Sequence, residues 1–377
     1  MQEKYINYLN YLNQVGLYRK LSPLSSTKEY VDFSSNDYLA LNKDSSFLDS
    51  IIDEVKKYPI GATGSRILSG NKEIIESLEN QIAIDKNTAS ALVFSSGFQA
   101  NLSAISCLLD QKVLKEKPIV FFDKLNHASL YQGVFLSQPE LIRYPHLDLK
   151  KLEDLLEKYK KDPRPKFIVS ETLFGMDGDI LPIESIAKLA KEYKAFLYLD
   201  EAHATGIMGE KGYGVSTTFS LKDIPHLIMG TFSKALGCSG GYIACSDIIK
   251  KYLINKAQGF IYSTALSPFL AAVIYKSWLL IKELDPQRKA IFDLSNYLRK
   301  NLVDLGFTTG NSMTHIIPIL FNKQEEAFRA YQKILKSKIK LSFIRPPTVP
   351  KARLRIALNA SHNLEDINRL ISSLKDL

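Results

Sequence analysis

From about Ala89 onward the chain alternates short apolar runs with amphipathic segments, and that alternation leaves few folds open. The runs are Ala91–Phe94, Ile119–Asp123, Phe167–Ser170, Phe196–Asp200, Leu227–Thr231 and Tyr242–Cys245. Each is rich in β-branched or aromatic side chains and is followed directly by polar or small residues. Between them lie helical patterns such as Pro182–Lys194, where Ile183, Ile186, Leu189 and Ala190 share one face and Pro182 is expected in the first turn. Strands that are apolar throughout, separated by helices, predict an α/β fold with a mostly parallel sheet covered on both faces. After Pro286 the texture changes. A long amphipathic helix over about 287–305 precedes runs at His315–Phe321, Leu341–Ile344 and Leu354–Leu358, and a last helix starts near Leu364. This predicts a smaller α+β unit. The expected organisation is an N-terminal segment over 1–40, a large domain over 41–285 and a small C-terminal domain over 286–377.

At 377 residues the chain is long enough for two such units. With 45% hydrophobic and 24% charged residues it can bury a large core, which excludes disordered and low-complexity classes. The net charge of +9 invites acidic partners, but 40 carboxylates are interspersed with the 49 bases. No nucleic-acid-binding motif accompanies the charge, so no nucleic-acid partner is expected. The three cysteines, Cys107, Cys238 and Cys245, form no CxxC pair, which argues against a zinc site and against a disulfide framework. Residues 1–16 lack the apolar core of a signal peptide, and Phe269–Ile281 is interrupted by Lys276 and too short to span a bilayer. A cytoplasmic protein with no membrane association is expected.

In an open parallel sheet, ligands bind beyond the carboxyl ends of the strands. The polar residues there are Ser95-Ser96-Gly97-Phe98, Asp123 with His127, Glu171, Asp200-Glu201-Ala202-His203 and Thr231-Phe232-Ser233-Lys234. Singly, each is more often a solvated loop residue or a satisfied core group; together, at successive strand ends, they mark a site. Asp200–His203 also spells a helicase signature, but no G-x-x-x-x-G-K-[ST] phosphate loop occurs upstream, so that reading fails. A pyridoxal-phosphate site fits better. Such a cofactor needs a lysine to carry it, a carboxylate for its pyridine nitrogen and a cradle for its phosphate. Lys234, Asp200 and the hydroxyls of Thr231 and Ser233 supply these, and Gly97-Phe98 opens a helix whose free amides favour a phosphate.

An ordered set of motifs extends the match over nearly the whole chain. Asn36-Asp37-Tyr38-Leu39, Gly61-Ala62-Thr63-Gly64-Ser65-Arg66, Ser96-Gly97-Phe98 with Asn101, and Asn126-His127-Ala128-Ser129 come first. Met176-Asp177-Gly178-Asp179, Asp200–Gly206, Thr231–Lys234 and Tyr262-Ser263-Thr264 follow, then Ile344–Pro350 and Arg353-Leu354-Arg355. The chain resembles the α-oxoamine synthases, pyridoxal-phosphate (PLP) enzymes of fold type I. The resemblance implies that Lys234 is the Schiff-base lysine and proton-transfer base, that Asp200 pairs with the pyridine nitrogen, and that His203 donates to the cofactor's phenolate. It implies that His127 stacks on the ring and meets substrate, and that Gly97, Phe98 and Thr231 contact the cofactor. Thr264 would reach the phosphate of a neighbouring subunit, which implies a homodimer with shared sites. Asn36 and Arg355 would hold the amino-acid carboxylate, Thr348 would touch substrate, and Arg19 falls near the family's N-terminal substrate arginine. The stretch 344–355 implies L-alanine and a pimeloyl thioester, on coenzyme A or acyl carrier protein, as substrates; glycine with an acetyl thioester is the alternative within the family. A non-catalytic subunit of the same fold would lack the lysine, and Lys234 is present. One departure stands out: family members commonly carry Ser before Met-Asp-Gly-Asp, where this chain has Gly175. One neutral hydrogen bond to the cofactor is expected to be lost there, worth about 1 kcal/mol.

Overall fold

The computed structural model describes residues 1–19, 21 and 30–375. Twelve strands are present among them. In chain order they are β1 (Val31–Asp32), β2 (Ser90–Phe94), β3 (Ile119–Asp123), β4 (Glu140–Tyr144), β5 (Lys166–Glu171) and β6 (Phe196–Asp200). Then come β7 (His226–Thr231), β8 (Gly241–Cys245), β9 (Ile316–Leu320), β10 (Ile339–Lys340), β11 (Ser342–Ile344) and β12 (Arg353–Ala357). A seven-stranded sheet has the order β2-β8-β7-β6-β5-β3-β4. All its strands run parallel except β8, which is antiparallel to both β2 and β7.

The continuous apolar runs follow from burial on both faces. Leu92, Phe94, Val120, Phe122, Tyr198 and Met229 point into one core layer, under the helices Gly97–Leu108 and Ala128–Ser137. Their neighbours Ala91, Val93, Ile119, Phe121, Leu197 and Ile228 point into the other, covered by helices that include Glu73–Asp85 and Ile183–Glu192. That second layer is continuous with the C-terminal part, where the antiparallel sheet β11-β12-β9 packs under the helices Asp285–Asp304, Gln324–Lys336 and Leu364–Lys375. Pro182 caps the helix Ile183–Glu192 rather than entering its first turn: its ψ of 86° is not helical.

Two tethers set the site's geometry. β1 pairs parallel with β10, the Ala357 N–H donates to Phe33 O at 2.8 Å, and the Ala360 N–H donates to Tyr38 O at 2.9 Å. Residues 31–38 therefore run along the C-terminal strands and place Asn36 and Tyr38 beside β12. At the carboxyl edge of the large sheet, His146 bridges Asp123, at the end of β3, and Asp179, with ring nitrogens 3.1 and 3.0 Å from carboxylate oxygens. Burial draws its pKa down, but the hydrogen bonds to Asp123 and then Asp179 outweigh it and raise it from 6.5 to about 9. A group raised on folding stabilises fully below its unfolded pKa and loses that contribution as pH climbs through the folded one. His146→Gln should therefore cost on the order of 3 kcal/mol below about pH 6.5, and the difference from wild type should shrink above that and be nearly gone by about pH 9. Urea unfolding of both proteins across that range measures it; a constant difference would mean that His146 is held neutral.

Candidate active site

Four strand ends and one helix start meet at a cavity of about 300 Å³. Gly97, Phe98, His127, Asp200, His203, Thr231 and Lys234 all line it, so seven of the residues expected from sequence come together there. Larger clefts, of about 850 and 1030 Å³, lie elsewhere on the surface and hold none of these seven. The convergence of groups, and not size, marks the site.

Asp200 ends β6, 3% exposed. Its Oδ2 accepts from Asn101 Nδ2 at 2.7 Å and its Oδ1 from the Ala202 N–H at 2.8 Å. Tyr198 in turn donates to Asn101 Oδ1 at 2.7 Å, so the carboxylate is fixed through a buried chain. The register sets Glu171 directly beside Asp200 on β5. Burial, and then repulsion from Asp200, push Glu171 well above the carboxylate range. Lys234 follows β7. Burial lowers its ammonium to about 8, against the opposing pull of the Asp200 and Glu171 carboxyl groups. Such a lysine is a proton acceptor near neutral pH, unlike an ordinary one.

The helix Gly97–Leu108 begins at Ser96, whose hydroxyl accepts from the Gln99 N–H at 3.1 Å. That leaves the amides of Gly97 and Phe98 without an acceptor among the described residues, at the positive end of the helix dipole. Thr231 and Ser233 bring hydroxyls to the same corner, 2.8 Å apart. Glycine is needed here. A Cβ on Gly97 would press on the Thr231 side chain at 3.3 Å, and one on Gly241 would meet the Gly97 backbone at 2.8 Å. The cradle is open because those methyls are missing, and its amides and hydroxyls suit a phosphate. With a carboxylate, a depressed lysine and this anion cradle around one cavity, the residues fit PLP.

His127 caps the helix Ala128–Ser137. The Ser129 N–H donates to its Nδ1, so the neutral ring carries its proton on Nε2. Burial, then the nearby Lys234 charge, lower its pKa despite Asp200, so the ring is neutral. A second cavity, of about 680 Å³, shares His127, Glu171 and His203 with the first and opens between Leu125, Tyr131, Phe174 and the 346–350 loop. Thr348 lies on that loop, and Arg19 Nη2 is 3.5 Å from its Oγ1. Arg355, on β12, donates through Nη2 to Asn36 Oδ1 at 3.0 Å, and through Nε to the Gly175 carbonyl. Thr264 stands apart. It is exposed and lines neither cavity; its carbonyl accepts from Ser95 Oγ, next to the Ser96–Phe98 cradle, at 3.1 Å.

The family model for class I and II aminotransferases matches residues 28–374. An 8-amino-7-oxononanoate synthase of Lysinibacillus sphaericus is 39% identical, covering 100% of this chain and 98% of its own length. The chain is an α-oxoamine synthase of the class I and II aminotransferase family. Its fold is theirs. The solved 8-amino-7-oxononanoate synthase of Francisella tularensis superposes with a TM-score of 0.79 at 28% identity, over 92% of this chain and 97% of that one. A serine palmitoyltransferase from S. paucimobilis with PLP bound gives 0.89 at 24% identity, over 99% and 96%. The family uses PLP, and this enzyme is a PLP-dependent acyltransferase.

Several residues of this synthase's site carry no role in the sequence reading. In the sequence Asn101 is a motif residue without an assigned function, Glu171 is only a strand-end carboxylate, and Tyr38 is one letter of Asn-Asp-Tyr-Leu. Asn101 acquires its place by crossing from a helix to Asp200, 99 residues away, a pairing for which local sequence holds no signal. Glu171 could have been found from its position opposite Asp200 on the neighbouring strand.

Proposed function

We propose that this synthase condenses L-alanine with a pimeloyl thioester, releasing carbon dioxide and the thiol to form 8-amino-7-oxononanoate in biotin biosynthesis. The observation that carries the reading is the meeting of three parts. A lysine–aspartate cavity shares His127, Glu171 and His203 with a second, mostly apolar cavity, and the buried Arg355 reaches the first through the Tyr38 hydroxyl, which contacts His203. PLP, when bound, supplies an electron sink for the negative charge that develops at the amino acid's α-carbon. Asp200 would hold the pyridine nitrogen, the Gly97–Phe98 amides with Thr231 would hold the phosphate, and His203 would meet the phenolate oxygen. Arg355 and Asn36 hold the alanine carboxylate in a two-pronged contact. Lys234 Nζ takes the α-proton, a bond forms from the α-carbon to the thioester carbonyl carbon, and the thiolate leaves. The former alanine carboxylate departs as carbon dioxide, and a proton returns to the same carbon. His127 stands where the two cavities meet and orients the acyl group.

The unit over 41–285 brings the cofactor groups, and the unit over 286–377 brings Arg355 and the 346–350 loop. The segment 1–40 adds Arg19 and Asn36. Thr264, exposed beside Ser95, completes the phosphate site of a partner in a homodimer. A cytoplasmic enzyme fits the substrates; among the described residues no helix is long and apolar enough to cross a membrane. The reading is tested by kcat/KM for alanine with pimeloyl-CoA, and with pimeloyl-acyl carrier protein, beside glycine with acetyl-CoA. Faster turnover of the last pair would make the enzyme a glycine C-acetyltransferase.

The far carboxylate of the pimeloyl chain needs a polar or cationic partner, or open water. Lys124 is the one lysine or arginine among the residues lining the 680 Å³ cavity, it is exposed, and it forms no ion pair among the described residues. The cavity's Asp177 is already paired with Arg353. Lys124→Gln should raise KM for pimeloyl-CoA roughly tenfold, the value of one charge-assisted contact, and leave heptanoyl-CoA, which lacks that carboxylate, unchanged. An equal effect on both thioesters would assign Lys124 to the carrier instead. The same comparison with Arg19→Gln separates a contact to the pimeloyl carboxylate from one to the phosphates of the carrier.

A further inference from the structure

Tyr38 is 0% exposed, and its hydroxyl joins three groups of the site. It lies 2.7 Å from His203 Nδ1 and 3.1 Å from Asn36 Oδ1, and it accepts from Arg355 Nη2 at 3.3 Å. The hydroxyl has one proton to give. Asn36 Oδ1 already accepts from Arg355, whereas His203 Nδ1 has no other partner among the described residues. The shorter contact is also the one to His203. The proton therefore goes to Nδ1, and the imidazole keeps its own hydrogen on Nε2.

Nε2 points over Gly175. A Cβ built on Gly175 would overlap the His203 ring, which can rotate no further because Tyr38 holds its other side. The absence of a side chain at 175 and the Tyr38–His203 contact are thus two halves of one arrangement. His315 packs edge-on against Tyr38, with ring centroids 4.1 Å apart, and closes its remaining face.

We propose that Tyr38 is a positioning residue that locks His203 in its Nε2–H tautomer, in space that Gly175 leaves free, and ties that lock to the Arg355–Asn36 carboxylate site. The charged and titratable groups around His203 are Lys234, Arg355, His315 and His127; with burial, they hold its ring neutral, as the lock requires. A carboxylate arriving at Arg355 competes for the Nη2 that now donates to Tyr38, so binding of the amino acid is felt at His203 through one hydroxyl. The arrangement also accounts for Gly175. A side chain at 175 would meet the ring that Tyr38 holds from behind.

The proposal rests on the pocket's being the PLP site, and its test is the pH midpoint of the bound cofactor's visible absorbance. A fixed donor at the phenolate favours the more negatively charged form, so losing it moves the midpoint up. Tyr38→Phe keeps the ring and removes only the hydroxyl. Loaded with PLP, it should shift the midpoint up by about one pH unit while PLP affinity stays within about twofold. Its kcat should fall more than its KM for alanine changes. Gly175→Ala, which displaces His203 and leaves Tyr38 intact, should give the same shift, and the double variant no more than either alone. Unchanged midpoints in both single variants, or additive shifts in the double, would overturn the proposal while leaving the cofactor reading intact. A wild-type protein that shows no visible band with PLP would overturn both.

Discussion

Lys234→Ala should lower turnover by on the order of ten-thousandfold or more, because in the proposed reaction one side chain both carries the cofactor and moves the α-proton. The variant should keep its fold and bind PLP without a covalent link, since Asp200 and the Gly97–Phe98 cradle are untouched. Borohydride reduction and peptide mapping of wild type should place the pyridoxyl group on Lys234. The pH behaviour follows from burial of the ammonium. Only the neutral amine is a nucleophile, and its pKa lies at about 8. The rate of coupling between apo-protein and PLP should therefore rise about tenfold per pH unit below that value and level off above it. A rate that keeps climbing toward the ordinary lysine range would show that burial does not act on Lys234. Label on another lysine would remove it from its role.

The second large effect is expected at Arg355. It is 3% exposed and donates to Asn36, Tyr38 and the Gly175 carbonyl, so its guanidinium is pre-oriented before substrate arrives. Two charge-assisted bonds to the alanine carboxylate contribute roughly 1.5–3 kcal/mol each. Arg355→Ala should raise KM for alanine by roughly a hundredfold to ten-thousandfold. The visible band of bound PLP should remain, because Arg355 does not line the cavity that holds Lys234, Asp200 and the phosphate cradle. Arg355→Lys should recover only a small part, since an ammonium cannot reproduce the planar fork. If alanine KM moves less than about threefold, the carboxylate is held elsewhere and the orientation of substrate in the pocket must be redrawn.

What the chain discloses before its structure depends on how far a residue's partners lie. The strands β3 and β6 are legible because both their faces are buried, and apolar residues then run without interruption. β4 is not. Glu140-Leu141-Ile142-Arg143-Tyr144 sits at the sheet edge, only Tyr144 is fully buried, and its polar residues disguise the strand. The reversed direction of β8 is equally hidden, because Tyr242–Cys245 is apolar whichever way it runs. At the site, Asp200, His203, Thr231 and Lys234 are legible from the rule that ligands gather at strand ends. Arg355 and Asn36 are 319 residues apart and meet through β1, β10 and β12, so resemblance alone pointed to them. Tyr38 escaped altogether. Its role comes from a contact across 165 residues and from the missing Cβ of Gly175, which read at first as a simple loss.

The central claim is the decarboxylative condensation itself, and isotope placement tests it most directly. The PLP-loaded enzyme is given pimeloyl-CoA and L-alanine labelled with carbon-13 only in the carboxyl group. The account predicts unlabelled 8-amino-7-oxononanoate, with labelled carbon dioxide and free coenzyme A released in equal amounts. Coenzyme A released without carbon dioxide, or label retained in a product, would contradict it.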